Sequence, residues 1–181
     1  MGQRERPMVM LEILRNRRSI RKYKNQAIEG EKIDLLKEAV LRCPSSRGIN
    51  PWRFVFITDR ALLEKLSLAK KSGSGFLKGA GLGVVVCGSE DESDVWVEDC
   101  SIASIILQLV GSSLGLGSCW IQIRNRENSP GLTSEDYIKQ VLGLPANLRI
   151  ESMIALGYPD EEKRPVSRRE LEYDKILIKG N

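Results

Sequence analysis

Four short runs rich in β-branched and aromatic residues alternate with longer stretches whose apolar positions recur every three or four residues, and the two periods separate strands from helices. Strands are predicted at Arg53–Thr58, Val84–Cys87, about Ser118–Ile123 and Arg149–Leu156. Met8–Arg17 reads as a short helix, because Val9, Ile13 and Leu14 fall near a period of 3.6. Glu31–Arg42 reads as a second, with Ile33, Leu36, Ala39 and Val40 as its apolar stripe and acids near its start, where the helix dipole favours them. Pro44 stops it. Asp59 is placed to cap a helix running to about Lys71. Thr133 caps another, with Asp136 at the third position and a stop at Gly143-Leu144-Pro145.

The longest apolar stretch carries no charge from Ser101 to Ile123, which is long enough to raise a membrane span. Gln108, several serines and the break at Gly115-Leu116-Gly117 argue for a fully buried central helix instead, starting at Trp96 or Asp99 and passing into the third strand. Gly111-x-x-x-Gly115 leaves room for another helix to approach, from within the chain or from a second copy. Arg124–Leu132 is a polar loop and a candidate lid. Beyond Gly157-Tyr158-Pro159 the chain is charged, with Lys163, Arg164, Arg168 and Arg169, and such a tail stays ordered only by lying on something. No repeat or low-complexity block divides the chain. The expectation is a single domain over residues 1–181, α+β or mixed α/β, around one mixed sheet.

Composition changes this picture little. Hydrophobic residues make up 41% and charged residues 29%, as in an ordinary globular domain, and a net charge of +4 does not by itself imply nucleic acid. The absence of histidine matters more. It removes Ser-His-Asp and Cys-His catalysis and the commonest general base. Cys43, Cys87, Cys100 and Cys119 are widely spaced, with no C-x-x-C and no histidine to complete a zinc set. With no signal-peptide pattern at the N-terminus, a cytoplasmic protein without membrane attachment is expected. If the chain is an enzyme, something other than its side chains supplies the chemistry.

The residues that most need a ligand are Arg17-Arg18-Ser19-Ile20-Arg21-Lys22-Tyr23. Six lysines and arginines fall between Arg15 and Lys24, and no acid interrupts them between Glu12 and Glu29. A solvated basic face, a nucleic-acid patch and a phosphate cradle all fit such a run. In extended conformation Arg17, Ser19 and Arg21 point one way and Arg18, Ile20 and Lys22 the other, and three converging anion-binding groups favour a compact phosphoryl group over a long nucleic-acid backbone. Tyr23 is expected to be a packing anchor. Gly79-x-Gly81-x-Gly83 precedes its strand where a dinucleotide fingerprint would follow one, so it carries no such meaning. The loop Cys43–Trp52 offers Ser45, Ser46 and the Asn50 amide as partners for a polar heterocycle, or is an ordinary connection braced by Trp52.

Taken together, four motifs resemble the nitroreductase family of FMN-dependent oxidoreductases. They are Arg17-Arg18-Ser19-x-Arg21-x-Tyr23, then Pro44-Ser45-Ser46 leading to Asn50-Pro51-Trp52-Arg53-Phe54, then Gly115–Ile121, and finally Ala155-Leu156-Gly157-Tyr158-Pro159. The resemblance spans about Val9 to Leu171. It implies four to five strands wrapped by helices, and a homodimer with FMN in each interfacial cleft and the tail extending onto the partner. By resemblance, Arg17, Arg18, Ser19 and Arg21 hold the phosphate, ribityl chain and pyrimidine side of the flavin, while Pro44, Ser45, Ser46 and Asn50 come from the partner subunit. Trp120, Ile121 and Gln122 lie against the ring, largely through backbone groups. Arg168, with Lys163 or Arg164 as substitutes, closes on the phosphate. Trp96 and Arg124 are candidates for the substrate wall. Gly48 and Asn50 depart from the family pattern, which places amides two residues after Pro-Ser-Ser and a longer amide before Pro-Trp.

The activity implied is ping-pong hydride transfer from NADH or NADPH through FMN to an electron-poor acceptor such as a nitroaromatic or quinone. Other reactions of the superfamily, namely flavin breakdown, reductive dehalogenation and ring dehydrogenation, are the alternative. A flavin- or nucleic-acid-binding protein without turnover is a second.

Overall fold

The computed structural model describes residues 9–180. Its strands are β1 (Trp52–Ile57), β2 (Leu82–Ser89), β3 (Gly117–Gln122), β4 (Glu127–Ser129), β5 (Leu132–Thr133) and β6 (Leu148–Gly157). Its helices are α1 (Val9–Asn16), α2 (Gly30–Leu41), α3 (Arg60–Ser67), α4 (Trp96–Ser113) and α5 (Ser134–Leu142). The four predicted strands form one sheet in the order β1-β2-β6-β3, antiparallel at every pairing. β4 and β5 make a separate hairpin. Met8, at the predicted start of α1, lies outside the described residues.

Both faces of the sheet are covered, and the strand sequences show why. In β2, Leu82, Val84 and Val86 point into the layer that contains Leu36 and Val40 of α2 and Cys100, Ala103 and Leu107 of α4. Val85 and Cys87 point the other way, among Leu63 and Leu66 of α3 and Ile138 of α5. A strand buried on both sides has no solvent face to make polar, so β2 reads as a continuous apolar run and is buried throughout. Each fully buried Leu, Ile or Val in these two layers contributes roughly 1.5–3 kcal/mol.

Local signals set the ends of the elements. The Asp59 side chain accepts the Leu62 N–H at 2.8 Å, and the Thr133 hydroxyl accepts the Asp136 N–H at 3.0 Å. Gly143, at φ 64°, closes α5 in the left-handed conformation its sequence position predicts. α3 stops at Ser67, short of Lys71, because the chain turns back and the Ser74 hydroxyl takes the Ser67 carbonyl at 2.7 Å. Tyr23 packs on Gly157, where a Cβ would stand 2.8 Å from its ring, and is the anchor expected.

Two expectations need correction, and one alternative left open is resolved. α4 is not fully buried: Ile102 and Ile105, 39% and 38% exposed, form an uncharged outer stripe that nothing in the described chain covers. Gly111 serves the interior, since a Cβ there would meet Leu156 Cδ2 at 2.8 Å. The polar segment Arg124–Leu132 is no free lid, because it holds the β4–β5 hairpin. Asn128 Nδ2 ties that hairpin to the Leu68 carbonyl at 2.7 Å, and the Ser134 N–H reaches the Arg126 carbonyl at 2.9 Å. No helix among the described residues is long and apolar enough to cross a membrane.

Candidate functional site

The basic run leaves α1 and is laid along the edge of the sheet. The Arg17 N–H still bonds Ile13 O at 2.8 Å, as the last turn of α1 requires. From there the chain is extended. Ser19 bridges Ser118 in parallel, the Ile20 N–H reaches Ser118 O at 2.9 Å, and the Lys24 N–H reaches Tyr158 O at 2.8 Å. Ile20 is buried directly over Gly117, where a Cβ would come within 2.9 Å of it. Only glycine lets the two segments approach this closely.

This path creates a recess of about 250 Å³ where the basic run, the end of α4 and the start of β3 meet. Arg17, Arg18 and Lys163 line it together with Ser112, Gly115 and Ser118. Strict alternation from Arg17 would separate Arg17 from Arg18. Both line the recess because the Arg17 N–H is still tied to the last turn of α1, so the alternation starts one residue later. It then puts Arg18 with Ile20, and Ser19 with Arg21. The Arg21 guanidinium lies 5.8 Å over the Phe76 ring, and Arg21 does not line the recess. Ser19 contributes its carbonyl, which accepts from Lys163 Nζ at 2.8 Å.

Sequence reasoning missed the residue that binds this region together. The Glu161 carboxylate accepts the Arg21 N–H at 2.5 Å and the Lys22 N–H at 3.2 Å, and lies 3.4 Å from Lys163 Nζ. These bonds, the Arg21 N–H first and Lys163 among them, hold its carboxyl below the usual range. The clamp fixes the extended backbone and aims Lys163 at the recess. An acid two residues past Gly-Tyr-Pro, facing a strand with unpaired N–H groups, was the available signal. Of the three tail cations predicted, Lys163 is the one that arrives. Arg164 gives its carbonyl to Arg18 and pairs its side chain with Glu170 at 2.6 Å, and Arg168 Nε turns to the Tyr173 hydroxyl at 3.3 Å.

Along β3, Trp120 and Gln122 share one half-buried face. Trp120 Nε1 donates to Gln122 Oε1 at 3.0 Å, and Gln122 Nε2 donates to the Arg124 carbonyl at 3.1 Å. Ile121 points into the opposite core layer at 1% exposure, so only its backbone faces the Trp120 side. Trp96 is buried on Gly88, where a Cβ would stand 2.7 Å from its ring, and Arg124, two residues past β3, has its N–H on Glu151 O at 3.0 Å. Neither lines the recess.

The loop at Pro44–Asn50 is rigid in its own right. The Ser45 hydroxyl donates to Asn50 Oδ1 at 2.7 Å and accepts the Asn50 N–H at 2.9 Å, while the Ser46 N–H bonds Asp99 Oδ1 at 2.8 Å. Gly48 has φ 66°, a conformation that glycine adopts without cost. Asp99 lies in the first turn of α4 and Ser112 in its last, so the loop and the recess are separated by about 20 Å of helix. Within one chain, therefore, the structure does not bring Pro44, Ser45, Ser46 and Asn50 to Arg17, Arg18 and Lys163.

With this geometry in hand, the comparisons with known proteins agree with one another. The model of the "Nitroreductase family" matches residues 14–74 and 69–158. An FMN-dependent nitroreductase from Clostridium difficile R20291 superposes with a TM-score of 0.92 at 41% identity, over 94% of this chain and 99% of that one. A protein of Archaeoglobus fulgidus, provisionally named NADH dehydrogenase/NAD(P)H nitroreductase, is 35% identical over 84% of this chain and 87% of its own. One of the same provisional name from Methanothermobacter thermautotrophicus is 33% identical over 94% and 87%. The family model covers most of the chain, and two of these relatives are matched along nearly their whole length, so the chain belongs to the nitroreductase family.

Proposed function

We propose that this protein is an FMN-dependent NAD(P)H oxidoreductase whose flavin phosphate sits in the recess of Arg17, Arg18 and Lys163. That recess is the observation that carries the reading. No ion pair among the described residues involves Arg17 or Arg18. The space where a Gly115 Cβ would stand is open, so an oxygen can approach the main chain there. Two guanidinium forks and an ammonium suit a phosphate of nearly two charges, each charge-assisted bond being worth about 1.5–3 kcal/mol. The FMN dependence of the Clostridium difficile protein supports the same assignment.

Bound there, FMN would supply hydride transfer from NADH or NADPH and, in ping-pong order, reduction of an electron-poor acceptor such as a nitroaromatic or quinone. The chain's residues bind and orient it. Ser112 and Ser118 offer hydroxyls beside the phosphate. Trp120, Ile121 and Gln122 present a strand, continuous with the recess, on which the ring rests. No side-chain acid or base is required at the transferred hydride, which agrees with a chain that has no histidine.

We further infer a homodimer. The loop at Pro44–Asn50 and the recess lie at opposite ends of α4, and the helix presents an uncharged stripe between them. A second copy laid antiparallel across that stripe brings the loop of one chain to the recess of the other. It also covers the tail, in which Val166, Leu171, Tyr173, Ile176, Leu177 and Ile178 are all exposed. An absorbance spectrum with anaerobic titration tests the whole reading. A flavin band bleached by NADPH or NADH and restored by a quinone supports it. Failure to regain a band after adding FMN refutes it.

A further inference from the structure

The loop at Pro44–Asn50 does not keep its shape by backbone preference. Arg47, Gly48 and Asn50 lie at φ 55°, 66° and 56°, in the left-handed region that L side chains rarely adopt. Bonds inside the loop fix its curl. Besides the two between Ser45 and Asn50, the Gly48 N–H reaches Ser45 O at 3.2 Å and the Ile49 N–H reaches Ser46 O at 3.1 Å. None of these fixes where the curl stands on the protein.

Two carboxylates far along the chain do that. Asp94 accepts from Arg47 Nη2 at 2.6 Å, but the two side chains are 79% and 64% exposed, where an ion pair contributes little. Asp99 is 2% exposed, and its Oδ1 accepts the Ser46 main-chain N–H at 2.8 Å. A buried, charge-assisted bond to the backbone is the stronger tie of the two, and salt does not screen it. The other oxygen, Oδ2, meets no donor among the described residues. The carboxylate therefore serves the Ser46 N–H and nothing else, a costly way to fill the first turn of a helix unless the position of the loop matters.

That first turn belongs to α4, whose last turn carries Ser112 into the wall of the recess. Asp99 thus fastens the loop to the same rigid helix that shapes the recess at its other end. In the antiparallel pair of chains, each site takes its loop from one chain and its recess from the other. We propose that Asp99 is a positioning residue for the flavin: through Ser46 it sets the place on α4 from which Ser45, Ser46 and Asn50 meet the ring held in the other chain's recess. The use of the loop rests on the function and dimer proposed above; the hold of Asp99 on Ser46 does not.

The test has three parts. The first is exchange of the Ser46 amide in flavin-free protein. Asp99→Ala should lower its protection about tenfold, the effect of one such bond, whereas Asp99→Asn still offers Oδ1 and should keep most of it. The second is binding of FMN and of riboflavin by fluorescence quenching. Because the loop faces the ring and not the phosphate, Asp99→Ala should weaken both about tenfold and by the same factor, and Asp99→Asn should recover most of the loss. The third uses a purified mixed dimer, one chain Asp99→Ala and the other Lys163→Met. One of its two sites then has an intact loop and an intact recess, so half the sites should bind FMN with the wild-type Kd, which damage to folding would not produce. An unchanged Ser46 amide in Asp99→Ala overturns the proposal. So does a loss confined to FMN, or a mixed dimer without wild-type sites. If exchange behaves as described but wild-type protein binds neither flavin, Asp99 still holds the loop and the function proposed above is what fails.

Discussion

Lys163→Met is the most informative single change at the recess, because the structure gives Lys163 two partners with opposite consequences. Its ammonium lies at the recess, bonded to Ser19 O at 2.8 Å and 3.4 Å from Glu161, and its side chain is 27% exposed. A charge-assisted bond to phosphate is worth about 1.5–3 kcal/mol, and partial exposure puts this one near the lower end. About 1.5 kcal/mol is roughly a tenfold weaker Kd for FMN. Removing the ammonium also leaves the Glu161 carboxylate facing the phosphate without its counter-charge, so the loss should reach about 10- to 30-fold at 0.1 M salt. Adding Glu161→Gln should recover about threefold or more of that loss, the signature of two coupled neighbours. The assay is quenching of flavin fluorescence, run in parallel with riboflavin, which has the same ring and no phosphate. Riboflavin binding should not change. An equal loss for FMN and riboflavin would sink the assignment of the recess to the phosphate, and so would no loss for either.

Three further outcomes follow from the structure. Glu151 has a folded-state pKa raised above its ordinary 4.5, so its stabilising contribution is complete at low pH and is lost as pH rises through the raised value. The thermal midpoint of Glu151→Gln should therefore exceed that of the wild type by a margin that widens with pH and then levels off; a margin that shrinks with pH would contradict the sign. Gly88→Ala places a methyl 2.7 Å from the Trp96 ring and 3.0 Å from Cys100 Sγ, so urea unfolding should show a loss of about 1–3 kcal/mol from overpacking. Leu177→Asp with Ile178→Asp removes two apolar residues that are 84% and 89% exposed. Sedimentation should show the proposed dimer weakened, with FMN affinity falling alongside it; an unchanged oligomeric state would refute the tail's part in that dimer.

Much of this architecture was legible before any coordinates, and the reasons are specific. β2 declares itself most plainly, because burial on both faces demands a continuous apolar run such as Val84–Cys87. Asp59 and Thr133 announce helix starts because a side-chain oxygen is needed where backbone N–H groups lack partners. The β4–β5 hairpin was hidden because its residues are polar and are held by bonds to distant backbone, such as Leu68 O, which leave no periodic trace. At the site, the basic run was visible as a cluster of like charge, but its facing was not: one backbone bond, from the Arg17 N–H to the last turn of α1, changes which side chains converge. Glu161 and Lys163 could be matched to that run only by knowing where the chain returns after Pro159. The burial of Glu151 depends on a register slip of β6 against β2, between Val86 and Cys87, which no single strand sequence contains.

The strand order β1-β2-β6-β3 has a consequence for synthesis. β6, the last of the described strands to be synthesised, is the one that lies between β2 and β3. Until residue 157 has emerged, the nascent chain carries two apolar strands with no neighbour to join them, and each exposes an unpaired edge. Closure of the sheet thus waits until residue 157 is available, and in the interval such edges are open to the wrong partners. Growing chains should need a chaperone until β6 closes the sheet, and stalled chains ending before Leu148 should aggregate where the released protein does not.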